Sequence, residues 1–228
     1  MPHKVDFCFK FPSRSRPKQF MKTLTRYYEY LSQKHSYYFI ISLDTDDKTM
    51  NNKKMKKWLD SKPNLSYFFG DNKTKVQAIN ADMDKFKNMK FSTLFLISDD
   101  MVPKIKGYDD IICSDMHRYF PRKDGALHYN DGRRGSDLCT LSIMGRRLYK
   151  SFGYIYHPDY KSLWCDNEYT MVCSRANKIK YIDKIICKHE WGGANADPLY
   201  RRNENYFGKD KLMFIKRKSR GFPKDSIL

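Results

Sequence analysis

Two hydrophobic periods alternate along the first hundred residues. Apolar runs of strand length recur at Val5–Phe11, Tyr37–Leu43, Leu65–Phe69 and Thr93–Ile97. Apolar residues between these runs recur at helical spacing, which predicts helices over Pro17–Gln33, Thr49–Ser61 and Lys75–Phe86. Strands that alternate with helices are typical of βαβ units, so the pattern predicts an α/β fold built on a mostly parallel sheet.

Each of these predicted strands is followed by polar or charged residues. The strand ends carry Ser13-Arg14, Asp44 to Asp47, Asp71 to Lys73, and Asp99-Asp100. In open α/β sheets, ligands bind beyond the carboxyl ends of the strands. We therefore expect the chemistry of this chain at that one edge of the sheet.

The regular alternation stops after about residue 105. The remaining pattern predicts a strand at Ile111–Cys113, a loop at Gly125–Gly135, a helix at Asp137–Tyr149, an irregular connection at Ile155–Asp166, a helix at Glu168–Asn177, a strand at Lys180–Cys187 and a Gly-rich loop at His189–Pro198. The tail from Tyr200 is basic and gives no clear pattern. Without repeats or a low-complexity linker, residues 1–105 and 106–228 are expected to form two halves of one body.

The charge is strongly positive. The 228 residues include 44 Lys and Arg against 26 Asp and Glu, which gives a formal net charge of +18, and 40% of the residues are hydrophobic. A chain of this length and composition can bury a core, so a disordered protein is excluded. A basic surface suits nucleic acid, an anionic surface or phosphate-bearing small molecules, and composition does not choose among them.

Targeting and cysteine patterns favour a reducing compartment. The N-terminus is charged where a signal peptide needs an apolar segment, and no apolar stretch approaches the length of a spanning helix. The six cysteines lie far apart without a C-x-x-C pair, so we expect free buried thiols. Together these features predict a cytoplasmic protein without a transmembrane segment.

The most prominent local motif is Ser98-Asp99-Asp100, directly after a predicted buried strand. Adjacent carboxylates at a strand end offer hard oxygen ligands for Mg²⁺ or Mn²⁺, which commonly bridge carboxylates to phosphate oxygens. The alternative is a turn, because Asp side chains often hydrogen-bond the local backbone.

The order of several motifs resembles a known family. These are Phe11 to Arg14, Asp44 to Asp47, Asn72 to Asn80, Ser98 to Asp100 and Trp164 to Glu168. Their order and spacing, over roughly residues 4 to 192, resemble GT-A fold glycosyltransferases, closest to the family 2 type. The resemblance implies a Rossmann-like nucleotide-binding sheet with helices on both faces and a mixed, acceptor-side second half.

The resemblance also implies roles at the donor side. The donor is a nucleoside diphosphate sugar, linked to UDP or GDP. The residues that would contact it are Pro12, Ser13, Arg14, Asp44, Asp46, Lys75, Asn80 and Asp99. Asp100, with Asp99, would bind Mn²⁺ or Mg²⁺, although Ser98 replaces the first acid of a literal D-x-D. His189 is a candidate third ligand, with a structural histidine as the alternative.

Two acids and one loop are candidates for the acceptor side. Asp166 and Glu168 resemble the carboxylates of which one is the general base in inverting members; the alternative is a pair of acids that stabilises a helix N-terminus. Asp131, in a Gly- and Arg-rich loop, and Trp191 are candidates for acceptor contacts. An ordinary surface loop and a buried anchor are the respective alternatives.

The sequence thus predicts a metal-dependent, hexosyltransferase-type enzyme that transfers a sugar to a glycan or other hydroxyl acceptor, with inversion favoured and retention left open. The rival hypothesis is a basic nucleic-acid-binding protein without enzymatic activity. Cations are spread along the whole chain without a known nucleic-acid-binding signature, which weighs against that hypothesis.

Overall fold

A mixed sheet forms the centre of the molecule. The computed structural model describes residues 2–190 and 197–222. The strands in this part of the chain are β1 (Lys4–Pro12), β2 (Tyr37–Asp44), β3 (Leu65–Gly70), β4 (Lys90–Leu96), β5 (Met101–Pro103), β6 (Ala126–Tyr129), β7 (Ile143–Gly145), β8 (Ile179–Ile182) and β9 (Cys187–His189). Seven of them form one sheet in the order β3-β2-β1-β4-β7-β6-β8, and β5 pairs with β9 separately.

The sheet consists of a parallel part and a part that contains an antiparallel strand. The pairs β1-β2, β1-β4 and β2-β3 are parallel, whereas β7 is antiparallel to both β4 and β6. β8 then pairs parallel to β6. The first half of the chain therefore supplies a parallel block, and the second half extends the same sheet through a reversed strand.

Helices cover both faces of the sheet. They are α1 (Pro17–Glu29), α2 (Lys53–Asp60), α3 (Lys75–Asn80), α4 (Tyr108–Tyr119), α5 (Arg146–Phe152), α6 (Cys165–Arg175), α7 (Pro198–Glu204) and α8 (Phe207–Ser219). Phe7, Phe9 and Phe11 of β1 pack in one core with α1, α2 and α4. Cys8 packs in the other core with α3, α5, α6 and α8, because successive side chains of a strand point to opposite faces.

The predicted elements of the first half are confirmed. All four predicted strands are present, and α1 and α2 lie within the predicted helices. The Asn52 side chain accepts a hydrogen bond from the Met55 amide and so begins α2. The third predicted helix is divided: α3 ends at Asn80, Asp82 has a left-handed φ of 64°, and a short 3₁₀ turn follows at Met83–Phe86.

The predicted strand at Ile111–Cys113 is wrong, because these residues lie in α4. Tyr108, Ile112 and Met116 are fully buried at four-residue spacing, which places one face of a helix against the sheet. The run of three apolar residues resembles a strand only when it is read without these neighbours.

The prediction for residues 125–149 is also wrong in part. The expected loop contains β6, and the first part of the expected helix contains β7, with α5 beginning only at Arg146. At Gly145 the chain passes so close to Lys123 that a Cβ would lie 2.4 Å from the Lys123 carbonyl oxygen. Glycine permits this approach and marks the change from strand to helix.

The predicted strand Lys180–Cys187 is two separate strands, β8 and β9. β8 extends the main sheet, whereas β9 pairs with β5. The helix predicted from Glu168 begins three residues earlier, at Cys165. Helices α7 and α8 follow in the tail, where the sequence gives no prediction.

Two further observations concern the whole described chain. All six cysteines are free thiols, and five of them are buried. Within residues 2–190 and 197–222, every helix is too short or too polar to cross a membrane.

One cation lies inside the core. Lys10 of β1 is fully buried, and its ammonium donates to Ser42 Oγ, which in turn donates to Asp82 Oδ2. Burial lowers the pKa of Lys10 to about 7, although the charge of Asp82 opposes this shift. The sheet beneath the strand ends therefore holds a lysine that loses its proton near neutral pH.

Candidate active site

The ends of β1, β2 and β4 meet at one edge of the sheet, as the sequence predicts for parallel strands. Ser13, Asp44 and Asp99 are buried there. Ser13 Oγ donates to Asp99 Oδ2 over 3.2 Å, so the first and fourth strand ends are in direct contact. We call this group of strand ends, with the arginines that follow β1, the donor edge.

Arg14 joins the first and second strand ends. Its Nη1 lies 2.8 Å from Asp44 Oδ2 and 2.6 Å from Asp46 Oδ1, and its Nη2 donates to Asp46 Oδ2. Asn72 donates to the other oxygen of Asp44 over 3.1 Å. Hydrogen bonds from Arg14 lower the pKa of Asp46, so this pair is ionised at neutral pH.

Arg16 is a site residue that the motifs do not single out. Its Nη1 donates to Asp99 Oδ1 over 2.9 Å, and its Nη2 donates to Asp197 Oδ1 over 2.9 Å. Asp197 also caps α7 by accepting from the Tyr200 amide. Arg16 thus connects the donor edge to the C-terminal helices, and only its place in a turn-rich segment after β1 hints at this in the sequence.

Asp99 is held on every side. Its carboxylate contacts Ser13 and Arg16, and its backbone carbonyl accepts from Gln19 and from Thr23. Burial and the neighbouring charge of Asp100 raise the pKa of Asp99 to about 6, although Arg16 opposes this shift. The carboxylate of Asp99 is therefore directed to the first strand end and to α1.

Asp100 lies against His189. Strand β5 pairs with β9 so that Met101 is opposite His189, and the Glu190 amide donates to the Asp100 carbonyl over 2.7 Å. Asp100 Oδ2 lies 3.7 Å from His189 Nε2, and Asp100 Oδ1 accepts from Ser98. Asp100 and His189 are therefore close together, and their expected role as metal ligands stays a prediction.

Asp131 lies behind His189. It is 1% exposed, and its Oδ2 is 3.5 Å from His189 Nδ1, a distance for an ion pair rather than a hydrogen bond. Thr140 and the amides of Arg133 and Arg134 donate to the same carboxylate. The Asp131 carboxylate therefore faces the imidazole of His189, and its expected contact with the acceptor stays a prediction.

The electrostatics of this group follow from its two acids. Burial alone would lower the pKa of His189, but Asp100 and Asp131 raise it to about 9. Burial likewise opposes ionisation of Asp100, yet His189 and Ser98 hold the pKa of this carboxyl well below its usual range. Asp100, His189 and Asp131 therefore form a charged array at neutral pH.

Asp100 and His189 could together hold a divalent ion such as Mn²⁺, because Asp100 offers a carboxylate oxygen and lies 3.7 Å from His189 Nε2. His189 would have to lose its proton to bind the ion, because a protonated imidazole has no free nitrogen lone pair. Three or more His, Cys, Asp or Glu in metal-binding geometry are not found among the residues that the structure describes. Two protein ligands would leave positions for diphosphate oxygens and water.

Asp166 is at the start of α6, in the second half. Trp164 precedes it with a left-handed φ of 64°, and Asp166 Oδ1 accepts from the Asn167 amide. The surrounding protein raises the pKa of Asp166, and the charge of Lys75 opposes this rise. Such a carboxylate is more basic than an exposed one.

Glu168 has a different environment from Asp166. Both of its oxygens are bound by Arg217 at 2.7 and 2.8 Å, and Tyr160 OH donates to Oε2. The residue is 4% exposed. Both carboxylate oxygens of Glu168 thus accept hydrogen bonds from protein side chains. Asp166 differs, because its hydrogen bond comes from the Asn167 amide.

The charge of Lys75 acts on one acid in each half of the chain. Its side chain is exposed at the start of α3, yet its charge lowers the pKa of Asp100 and also that of Asp166. The positive charge of Lys75 therefore favours the ionised form of one acid at the end of β4 and of one acid at the start of α6.

An open cleft of about 390 Å³ lies between the end of β3 and helix α3. Asp71, Asn72, Lys73, Gln77 and Asn80 line it. The Asn80 amide binds the backbone of Ile155 and Tyr156, so it shapes the cleft by holding that loop.

Pro12 is half-buried at the end of β1. Trp191 lies outside the described residues.

The fold has close relatives among solved structures. A mannosyltransferase from Pyrobaculum calidifontis, in complex with GDP-Man and Mn²⁺, superposes with a TM-score of 0.66 at 11% identity over 95% of this chain. The chain has the GT-A fold. Its mixed α/β sheet and paired helical layers agree with the predicted fold class.

A second GT-A structure gives the same result. S. aureus TarS 1-349 in complex with UDP-GlcNAc has a TM-score of 0.59 at 14% identity over 91% of this GT-A chain. This chain spans 65% of the mannosyltransferase and 66% of that TarS structure. No family model matches the sequence, and no curated protein matches it.

Proposed function

We propose that this GT-A chain is a divalent-metal-dependent glycosyltransferase, which moves a sugar from a UDP- or GDP-linked donor to a hydroxyl acceptor with inversion. The observation that carries this proposal is the group of side chains at the end of β4 in the GT-A sheet, where Asp100 Oδ2 lies 3.7 Å from His189 Nε2 and the neighbouring Asp99 is buried against Ser13. A metal-binding acid and a general base are the two groups that such a reaction needs on opposite sides of the anomeric carbon.

The donor edge and the cleft would bind the nucleotide. Asp44 and Asp46 offer carboxylates to base and ribose hydroxyls, and Arg14 holds both in place. Asn72 extends this array into the cleft. Pro12 and Ser13 form the adjoining wall at the end of β1, and Asp99 fixes that wall through Ser13 and Arg16.

Asp100 and His189 would hold the metal on the donor diphosphate. When bound, the divalent ion supplies positive charge for the departing diphosphate. Asp131 keeps His189 oriented from behind, as a carboxylate commonly does for a ligating imidazole. Lys75 adds a second cation near the same phosphates.

Asp166 would act as the general base. The acceptor oxygen forms a bond to the anomeric carbon while the bond from that carbon to the diphosphate oxygen breaks, and the electron pair leaves with the diphosphate. The acceptor proton passes to Asp166, whose surroundings raise its pKa. Glu168 is bound by Arg217 and Tyr160, so we assign it to the framework of the site.

Isothermal titration of UDP and GDP, with and without Mn²⁺, tests the donor part of this proposal. We expect binding that requires Mn²⁺ and that Asp100→Asn weakens by at least about tenfold, because a charged metal ligand is lost. Asp124→Asn is a matched control, since Asp124 forms a half-buried ion pair with Lys178 and has no place in the proposed site. Metal-independent binding, or equal binding by Asp100→Asn, would contradict the proposal.

A further inference from the structure

Helix α8 is fixed in one orientation by its inward side. Asp210 is 1% exposed and accepts from the backbone amides of residues 161, 162 and 163. Phe214 is buried, and Arg217 binds Glu168. Because buried charges hold this side in place, the helix cannot rotate to cover its outer side.

The outer side of α8 exposes large apolar residues. Leu212 is 69% exposed and Ile215 is 52% exposed, the two highest values among the exposed large hydrophobic residues of the described chain. Phe207, at the beginning of α8, is 46% exposed. Leu212 and Ile215 are three residues apart and so are neighbours on the helix surface.

Lysines border this apolar ridge on both sides. At about 100° per residue, Lys209 and Lys216 lie on one flank of Leu212 and Ile215, and Lys211 and Lys218 lie on the other. All four are exposed, and none forms an ion pair within residues 2–190 and 197–222. The only acid in α8 is Asp210, which faces inward.

We propose that this outer side of α8 docks on an anionic lipid bilayer surface. Leu212 and Ile215 would enter the boundary between headgroups and acyl chains, while the flanking lysines extend their aliphatic stems and place their ammonium groups on lipid phosphates. The four cations complement a negative surface. The inference stands on the geometry of α8 and does not depend on the proposed transferase activity.

Other occupants fit this surface less well. A second copy of the chain would bring the lysines of two α8 helices together, and two aliphatic side chains bury far less than the roughly 1,200 Å² of a stable interface. Nucleic acid would use the lysines but would leave Leu212 and Ile215 in water or against phosphates. A bilayer surface satisfies both the cations and the apolar ridge.

Helix α2 offers an internal comparison. It exposes Lys53, Lys54, Lys56 and Lys57, whereas its apolar residues Met55 and Leu59 are buried. It has the cations of α8 without the exposed ridge. If charge alone decided membrane binding, the two helices would bind equally. We expect α8 to bind and α2 not to bind.

Flotation with lipid vesicles tests the proposal. The full chain is mixed with vesicles of phosphatidylcholine alone or of phosphatidylcholine with phosphatidylglycerol. We expect binding only to the mixed vesicles, weaker at high salt. L212S/I215S should reduce the partition coefficient at least about tenfold because it removes the buried apolar area. K209Q/K216Q should reduce it about fivefold per lysine.

Two control variants and one folding check separate the possible outcomes. K54Q/K57Q on α2 and Ile185→Ser, an exposed isoleucine outside α8, should leave binding close to that of the unmodified chain. Thermal unfolding should show that all variants are folded. Absence of vesicle binding overturns the proposal, and so does an equal loss in K54Q/K57Q and K209Q/K216Q. A concentration-dependent dimer that L212S/I215S abolishes would also overturn it, in favour of self-association.

Discussion

The acids of the donor edge and the acids at the start of α6 have different binding partners. At the donor edge, arginines bind Asp44, Asp46 and Asp99 directly. Around α6, Arg217 binds Glu168, whereas Asp166 Oδ1 accepts from the Asn167 amide. Hydrogen bonds from Arg14 lower the pKa of Asp46, whereas burial raises the pKa of Asp166, so Asp166 has the basicity that proton transfer requires.

The largest expected effect comes from removing that basicity. Asp166→Asn should lower kcat by about a thousandfold, because general-base catalysis contributes 10²- to 10⁴-fold in enzymes. Nucleotide affinity should stay unchanged, since the donor edge is intact. Single-turnover transfer and titration of UDP or GDP measure the two quantities, with Asp124→Asn as the control. Full transfer activity in Asp166→Asn would show that another group takes the proton.

The second-largest effect is a loss of stability at Glu168, the acid that we assign to the framework of the site. Glu168→Gln removes the carboxylate that binds Arg217 through both oxygens, in a site where the two side chains are only 5% and 11% exposed, and leaves the Asp159 carboxylate 3.9 Å from Arg217. The free energy of unfolding should fall by about 3–5 kcal/mol, as for other broken buried pairs. Urea unfolding measures it. E168Q/R217M should recover part of the loss, and a double variant no more stable than Glu168→Gln would contradict a direct pairing.

The third effect lies beneath the donor edge, at Lys10. Its pKa is about 7 in the folded chain, below the ordinary value of 10.5. Between these values the unfolded chain binds more protons, so the free energy of unfolding should rise with pH, by up to about 1.4 kcal/mol per pH unit. Below pH 7 the contribution becomes constant. Lys10→Met should remove this slope between pH 7 and 10; an unchanged slope would assign it to other groups.

The smallest effect is expected at the outer arginine pair. The Asp46 side chain is 69% exposed, so water already screens its contact with Arg14. Asp46→Asn should leave the melting temperature unchanged within measurement while it weakens nucleotide binding. Differential scanning fluorimetry with and without UDP and Mn²⁺ tests both. A clear loss of thermal stability in the absence of ligand would mean that the pair is part of the framework.

The sequence predicts the donor edge well because that edge arises from local patterns. Each strand of the parallel block is an apolar run, and its polar end lies where parallel strands must end together. Asp99, Asp100 and Asp44 could be placed from these runs alone. The proximity of Asp100 to His189 depends on β9, which the sequence pattern does not separate from β8 and which pairs with β5.

Long-range partners could not be predicted in this way. Arg16 binds Asp197, and Arg217 binds Glu168, and no periodicity marks either arginine as different from its basic neighbours. The roles of Asp166 and Glu168 therefore separate only in the structure. In the same way, Ile111–Cys113 resembles a strand until the burial of Tyr108 and Met116 shows a helix.

The reversed strand β7 determines how the chain can be divided. It pairs with β4 from the first half and with β6 from the second, so both halves depend on its hydrogen bonds. A fragment that ends near residue 105 would expose β4 as an open edge. Such an edge presents unpaired amides and carbonyls to other chains and promotes aggregation. The unit of expression and of refolding is consequently the whole sheet, not residues 1–105 alone.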